Sequence, residues 1–218
     1  MVHTPPPIWK RLLLPLALGL LAIVALWIDL PLAGYFKTNP WKGDLQKLIV
    51  LCEAFGYGGT VAFILIAAAL LDPRGCRVLP RLALASYGAG LLADLIKTLV
   101  GRHRPLDETR MPASVLETFT TWAGHQHAHL TQSFPSAHTA TAAGLACGLS
   151  FLYPRGRWLF IALVILTAVQ RLHAREHYLS DVLAGAGLGT LIGIWITSST
   201  LGSGWLDRLE RSPKTVAS

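Results

Sequence analysis

Charge is what this chain has least of. Only 14% of its 218 residues are Asp, Glu, Lys or Arg, against about 25% in an ordinary soluble domain. With 52% hydrophobic residues and a mean hydropathy of +0.47, that deficit points to lipid as the solvent. Acidic residues are scarcer than basic ones, 12 against 19. The cations fall in short clusters between apolar runs, the pattern of membrane topology signals and not of a nucleic-acid surface, so nucleic acid is not an expected partner. Cysteine is down to three residues, Cys52, Cys76 and Cys147. Their odd number and spacing fit neither a disulfide framework nor a metal module, and they read as small apolar residues. No internal repeat is evident, and no carboxylate cluster suggests a required metal or other cofactor.

Long apolar runs are what the chain does have. The expected fold is an all-α polytopic membrane protein, with six transmembrane helices in one bundle and a single domain over residues 1–218. The first run, 12–28, follows Lys10 and Arg11. Its flanks resemble a signal peptide, but its length and the poor cleavage site at Leu32-Ala33-Gly34 favour a retained span. Residues 29–45 read as a loop and 47–53 as an interfacial turn. Further spans are expected at 55–71, 79–100, 134–153, 158–172 and 179–201; a bilayer needs roughly 20 residues, and 55–71 fits only if its helix starts early. Pro135 suits a first helical turn. The glycines of the last span (Gly185, Gly187, Gly189, Gly193) permit close helix contact. Both termini then share a side whose short turns are basic (Arg74, Arg77, Arg81; Arg155, Arg157). This places the termini in the cytoplasm, and the opposite helix ends on the outer face of what reads as a bacterial inner membrane.

Three clusters fall on that opposite face: Lys97-x6-Arg104-Pro105, Pro135-Ser136-Ala137-His138, and Arg171-x5-His177-x3-Asp181. The topology was drawn from apolar runs and turns alone, so their convergence argues for one site. Three cations, Lys97, Arg104 and Arg171, suit a phosphate dianion. Ser136 and the N–H groups opening the fourth span favour the same anion. With a helix starting near Glu176, His177 and Asp181 lie on one face. The carboxylate then fixes the tautomer of an imidazole that attacks phosphorus. His138 protonates the departing oxygen and later activates water. Taken singly, each cluster reads as easily as an interfacial charge; Lys97 also has Asp94 three residues back as a partner.

The three clusters resemble the signatures of the type-2 phosphatidic acid phosphatase family, Lys-x6-Arg-Pro, Pro-Ser-Gly-His and Ser-Arg-x5-His-x3-Asp. Here they stand as KTLVGRHRP, PSAH and QRLHAREHYLSD, within residues 97–187. The resemblance implies a metal-independent integral-membrane lipid phosphatase working through a phosphohistidine, with lipid phosphate as substrate and membrane lipids as surroundings. By motif position His177 is similar to the nucleophile, Asp181 to its partner and His138 to the acid/base. Lys97, Arg104, Ser136, Ala137 and Arg171 correspond to the phosphate ligands. Ala137 replaces the family glycine and Gln170 the family serine; neither change removes a reactive group.

Competing readings are a lipid phosphotransferase with the same intermediate and a membrane anion carrier, which has no use for paired histidines. A haloperoxidase fits poorly with six apolar spans. In the long segment 101–133, Arg102 and His103 are candidates for a second phosphate. The alternating His125, His127 and His129 suit a metal only if the backbone is extended; a lid or a plain surface loop is the simpler reading.

Overall fold

The computed structural model describes residues 8–107, 112–120, 128–198 and 204–210. Its long helices are α1 (Ile8–Thr38), α3 (Gly58–Leu71), α4 (Leu79–Leu99), α6 (Ala137–Leu152), α7 (Arg157–His173) and α8 (Leu179–Thr197). Shorter ones are α2 (Gly43–Leu51), α5 (Ala128–Thr131) and α9 (Gly204–Glu210). Two-residue strands β1 (Gly101–Arg102) and β2 (Phe119–Thr120) pair antiparallel.

The interior is built from small residues and the exterior from large ones. Ala85, Ala89, Ala93, Ala140 and Ala142 are fully buried, while Trp27, Leu70, Leu71, Leu91 and Leu99 are at least two-thirds exposed. Water would reject that arrangement; hydrocarbon accepts it, because helices in lipid gain little from hiding Leu and much from close backbone packing. The protein is therefore an integral membrane protein. Helix α8 lies at the centre, packed mainly on α6 and α1, and α4 packs on α6. At Gly185 a Cβ would strike the Ser136 carbonyl, so glycine there lets α8 press on the start of α6.

The count of crossings differs from expectation. Among the described residues, three helical segments are long and apolar enough to cross a membrane alone (Trp9–Thr38, Gly75–Leu99 and Leu179–Thr197), and the pair Gly43–Phe55 and Gly58–Leu71, bent by 66°, makes a fourth if it is one broken span. With 16 and 17 residues, α6 and α7 are short of a full span.

Several boundaries also move. The first helix continues through Asp29 and Pro31 to Thr38, where a loop was expected. Asp29 does not end it because its carboxylate is buried on polar partners. Pro135 is not in the first turn of α6; it precedes the N-cap Ser136, in a cis peptide with Phe134. Arg81, expected as a topology charge in a basic turn, is fully buried. It donates to Glu210 at 2.5 Å, Asp207 at 2.6 Å and the Ile196 carbonyl at 2.7 Å, clamping α9 to α4 and α8.

Candidate active site

The three motifs meet through the main chain. Arg104 N–H donates to the Leu130 carbonyl at 2.8 Å and Ser133 N–H to the Arg102 carbonyl at 2.9 Å, tying the segment after α4 to the one before α6. Ser136 N–H donates to the Asp181 carbonyl at 3.1 Å, tying α6 to α8. Arg175, with φ of 56°, turns the chain between α7 and α8. Such a conformation is uncommon for a residue with a side chain.

His177 is buried, and its Nδ1 donates to the Ser133 carbonyl at 2.7 Å. That bond fixes the tautomer and leaves Nε2 free. The expected role of Asp181 is thereby corrected. Its carboxylate is 3.8 Å from Nδ1, beyond a hydrogen bond, because α8 starts at Leu179 and not near Glu176. Asp181 Oδ2 instead accepts from Ser133 Oγ at 2.6 Å and Tyr178 N–H at 2.8 Å, and Oδ1 accepts from Arg102. It thus steadies the residue that holds the imidazole. Burial pushes the His177 imidazole down to about 4, against the pull of Asp181, so the ring is neutral near pH 7.

Arg102 is fully buried and serves structure, not a second phosphate. Its guanidinium bridges Asp181 and Asp29 (2.7 Å), donates to Ser180 Oγ (2.7 Å) and Thr118 Oγ1 (3.1 Å), and lies between the rings of Phe119 and Tyr178. Ser180 in turn gives Asp29 its N–H at 2.9 Å and its hydroxyl at 2.5 Å. A buried carboxylate–guanidinium–carboxylate triad therefore joins α1 to the third motif.

Each of the three cations has a carboxylate partner. Lys97 is buried, 3.4 Å from Asp94. Arg104 pairs with Glu176. Arg171 donates to Glu53 at 2.6 Å, with Glu176 at 3.6 Å from its other terminal nitrogen. Burial, then the neighbouring Arg171, lowers the Arg104 guanidinium to about 10, which leaves it charged at neutral pH. His138 lies on the same group of charges, its Nε2 3.1 Å from the Glu53 carboxylate that Arg171 also holds. The hydroxyl of Ser136 caps α6, accepting from Thr139 N–H at 3.3 Å and lying 3.0 Å from Thr139 Oγ1. Ala137 opens that helix, a conformation in which its methyl costs nothing. Among the described residues, no group of three or more His, Cys, Asp or Glu side chains is placed to hold a metal. His125 and His127 lie outside the described residues, as does the side chain of His129.

The profile of the PAP2 superfamily matches residues 79–205, more than half of the chain. The protein belongs to the PAP2 superfamily. Among curated proteins it is 28% identical over 200 residues to a lipid A 1-phosphatase of Rhizobium johnstonii, covering 86% of this chain and 79% of that protein. It is 37% identical over 101 residues to a lipid A 1-phosphatase of Rhizobium etli, covering 46% of this chain and 41% of that one. Among solved structures, a transmembrane PAP2-type phosphatidylglycerolphosphate phosphatase from Bacillus subtilis superposes with a TM-score of 0.57 at 16% identity, over 92% of this chain and 99% of that one. That likeness speaks for the fold alone.

Five residues of this PAP2 site escape sequence reasoning as site members: Asp29, Glu53, Ser133 and Glu176 by position, and Arg102 by role. Asp29 and Glu53 lie outside the matched PAP2 region. A lone Asp inside an apolar stretch was a usable signal for the first. Ser133 and Glu176 carry none.

Proposed function

We propose that the protein is a metal-independent membrane lipid phosphatase, cleaving a phosphomonoester or diphosphate through a phosphohistidine at His177. The observation carrying this reading is a buried neutral imidazole whose Nδ1 is held by a main-chain carbonyl, which leaves Nε2 as the nitrogen with the lone pair. In the first step Nε2 of His177 forms the N–P bond as the P–O bond to the lipid breaks. The electron pair stays on the leaving oxygen, which takes a proton from His138. In the second step His138 takes a proton from water, whose oxygen attacks phosphorus; the N–P bond breaks and orthophosphate leaves. Lys97, Arg104, Arg171 and the N–H groups opening α6 stabilise the equatorial oxygens.

A groove of about 670 Å³ supports a lipid substrate. It is lined by apolar residues of α1 and α8, with Leu16, Ile23 and Leu188 among them, and reaches Phe134 and Pro135 beside the site. Our reading has six crossings, α2 with α3 counting as one and the short α6 and α7 as two more. Both termini are cytoplasmic and the site lies on the outer face of a bacterial inner membrane. The named relatives make a lipid A 1-phosphate the first substrate to test. The test is orthophosphate release over a panel of lipid phosphates and diphosphates in detergent micelles. Release from at least one lipid, lost in His177→Ala, is expected. Unchanged release in that variant would refute the assigned nucleophile.

A further inference from the structure

The second membrane segment breaks between α2 and α3, and the break is packed onto the start of α6. Its turn, Cys52–Phe55, is held to α7 by Thr167, whose hydroxyl donates to the Cys52 carbonyl at 2.9 Å. At Gly56 a Cβ would run into the main-chain carbonyl of His138, so glycine is what lets the turn approach this closely. The approach brings two side chains to one imidazole. Glu53 Oε1 lies 3.1 Å from His138 Nε2, and the Tyr57 ring stacks on the imidazole with centroids 6.1 Å apart. Nε2 is buried and makes no hydrogen bond of good geometry among the described residues, so the carboxylate 3.1 Å away acts on it through its charge. Glu53 is itself gripped from α7, by Arg171 at 2.6 Å and by the Gln170 amide at 3.1 Å. Gln170 is the position where the third motif departs from the family serine, and here its longer side chain supplies the extra donor.

The other charged groups whose fields reach His138 are cationic: Arg171, Lys97 and Arg104. A protonated imidazole placed among them is repelled unless a negative charge adjoins it. We infer that Glu53 is a positioning residue for the proton-transfer step, its carboxylate orienting and charge-balancing His138 while fixing Arg171. The inference rests on the phosphohistidine reading and extends it to a residue outside the three motifs. During the first step the leaving oxygen takes its proton from His138; Glu53 stays ionised and exchanges none.

A residue that supports leaving-group protonation matters in proportion to how badly the leaving group needs a proton. kcat/KM, which reports phosphoenzyme formation, should be measured for two probes: dodecyl phosphate, whose alkoxide is a poor leaving group, and a nitrophenyl phosphate carrying the same chain. General acids contribute about 10²–10⁴-fold, so Glu53→Gln is expected to lower kcat/KM roughly 10–100-fold on the alkyl ester and less than about 3-fold on the aryl ester. Gln170→Ser, which removes the amide donor to Glu53 and the amide oxygen 3.4 Å from Arg171 Nη1, should give the same ranking at smaller size. Equal losses on both esters, no loss, or a lower KM in Glu53→Gln (a carboxylate merely competing with substrate for Arg171) would overturn the inference. His138→Ala serves as the reference. If it also lacks leaving-group dependence, the acid assignment itself fails; if it shows the dependence and Glu53→Gln does not, only the role of Glu53 falls.

Discussion

Replacing Arg102 with methionine is expected to unfold this protein more readily than replacing Lys97, Arg104 or Arg171. The guanidinium has no exposure and holds two fully buried carboxylates, Asp29 and Asp181, besides Ser180 and Thr118. Methionine fills most of the volume but strands both acids. Removing one partner of a buried ion pair costs about 3–5 kcal/mol, because the other charge stays desolvated and uncompensated. That is a large share of a typical stability of 5–15 kcal/mol. For a chain of about this length each kcal/mol moves the midpoint roughly 2–4 °C, so a shift on the order of 10 °C is expected. Tryptophan fluorescence during thermal unfolding in detergent micelles measures it. The pair Arg102→Met with Asp29→Asn should recover part of the loss, since one stranded charge is then neutral, and the double-mutant cycle reads that coupling. A single-variant shift of under 2 °C, or strict additivity in the cycle, would refute the triad as a stabilising unit.

Other outcomes follow from the same coordinates. His177→Ala should abolish orthophosphate release with little change in the thermal midpoint, checked by release and unfolding on one preparation. Folding lowers the proton affinity of His177 from 6.5 to about 4, so between those values the unfolded chain binds more protons. Stability should therefore fall as pH drops from about 6.5 to 4, by about 3 kcal/mol from this group; midpoints across that range, flatter in His177→Asn, test the sign. Ser136→Ala removes the cap of α6 and should cost about 1 kcal/mol while leaving phosphate release within a few-fold. A complete loss of release in that variant would mean that the hydroxyl serves the phosphate after all.

Helices α4, α7 and the start of α8 at Leu179 were legible because long apolar runs dictate them locally. The first helix overran its expected end because Asp29, polar by type, is neutralised by an arginine 73 positions away. His138 and His177 stood out in the sequence through the motifs that contain them. What holds each of them was not: the tautomer of His177 rests on a carbonyl, which every residue carries and no sequence pattern marks.

By itself, the sequence determined the solvent of the fold, the cations available to an anion and the two imidazoles, because composition and short spacings carry that information. Only the tertiary structure decided the pairing of charges. Asp29 meets Ser180 across 151 positions and Glu53 meets Arg171 across 118. A buried charge is tolerated only beside its partner, and which partner arrives is settled by how α1, the break before α3, and α7 pack around α6 and α8.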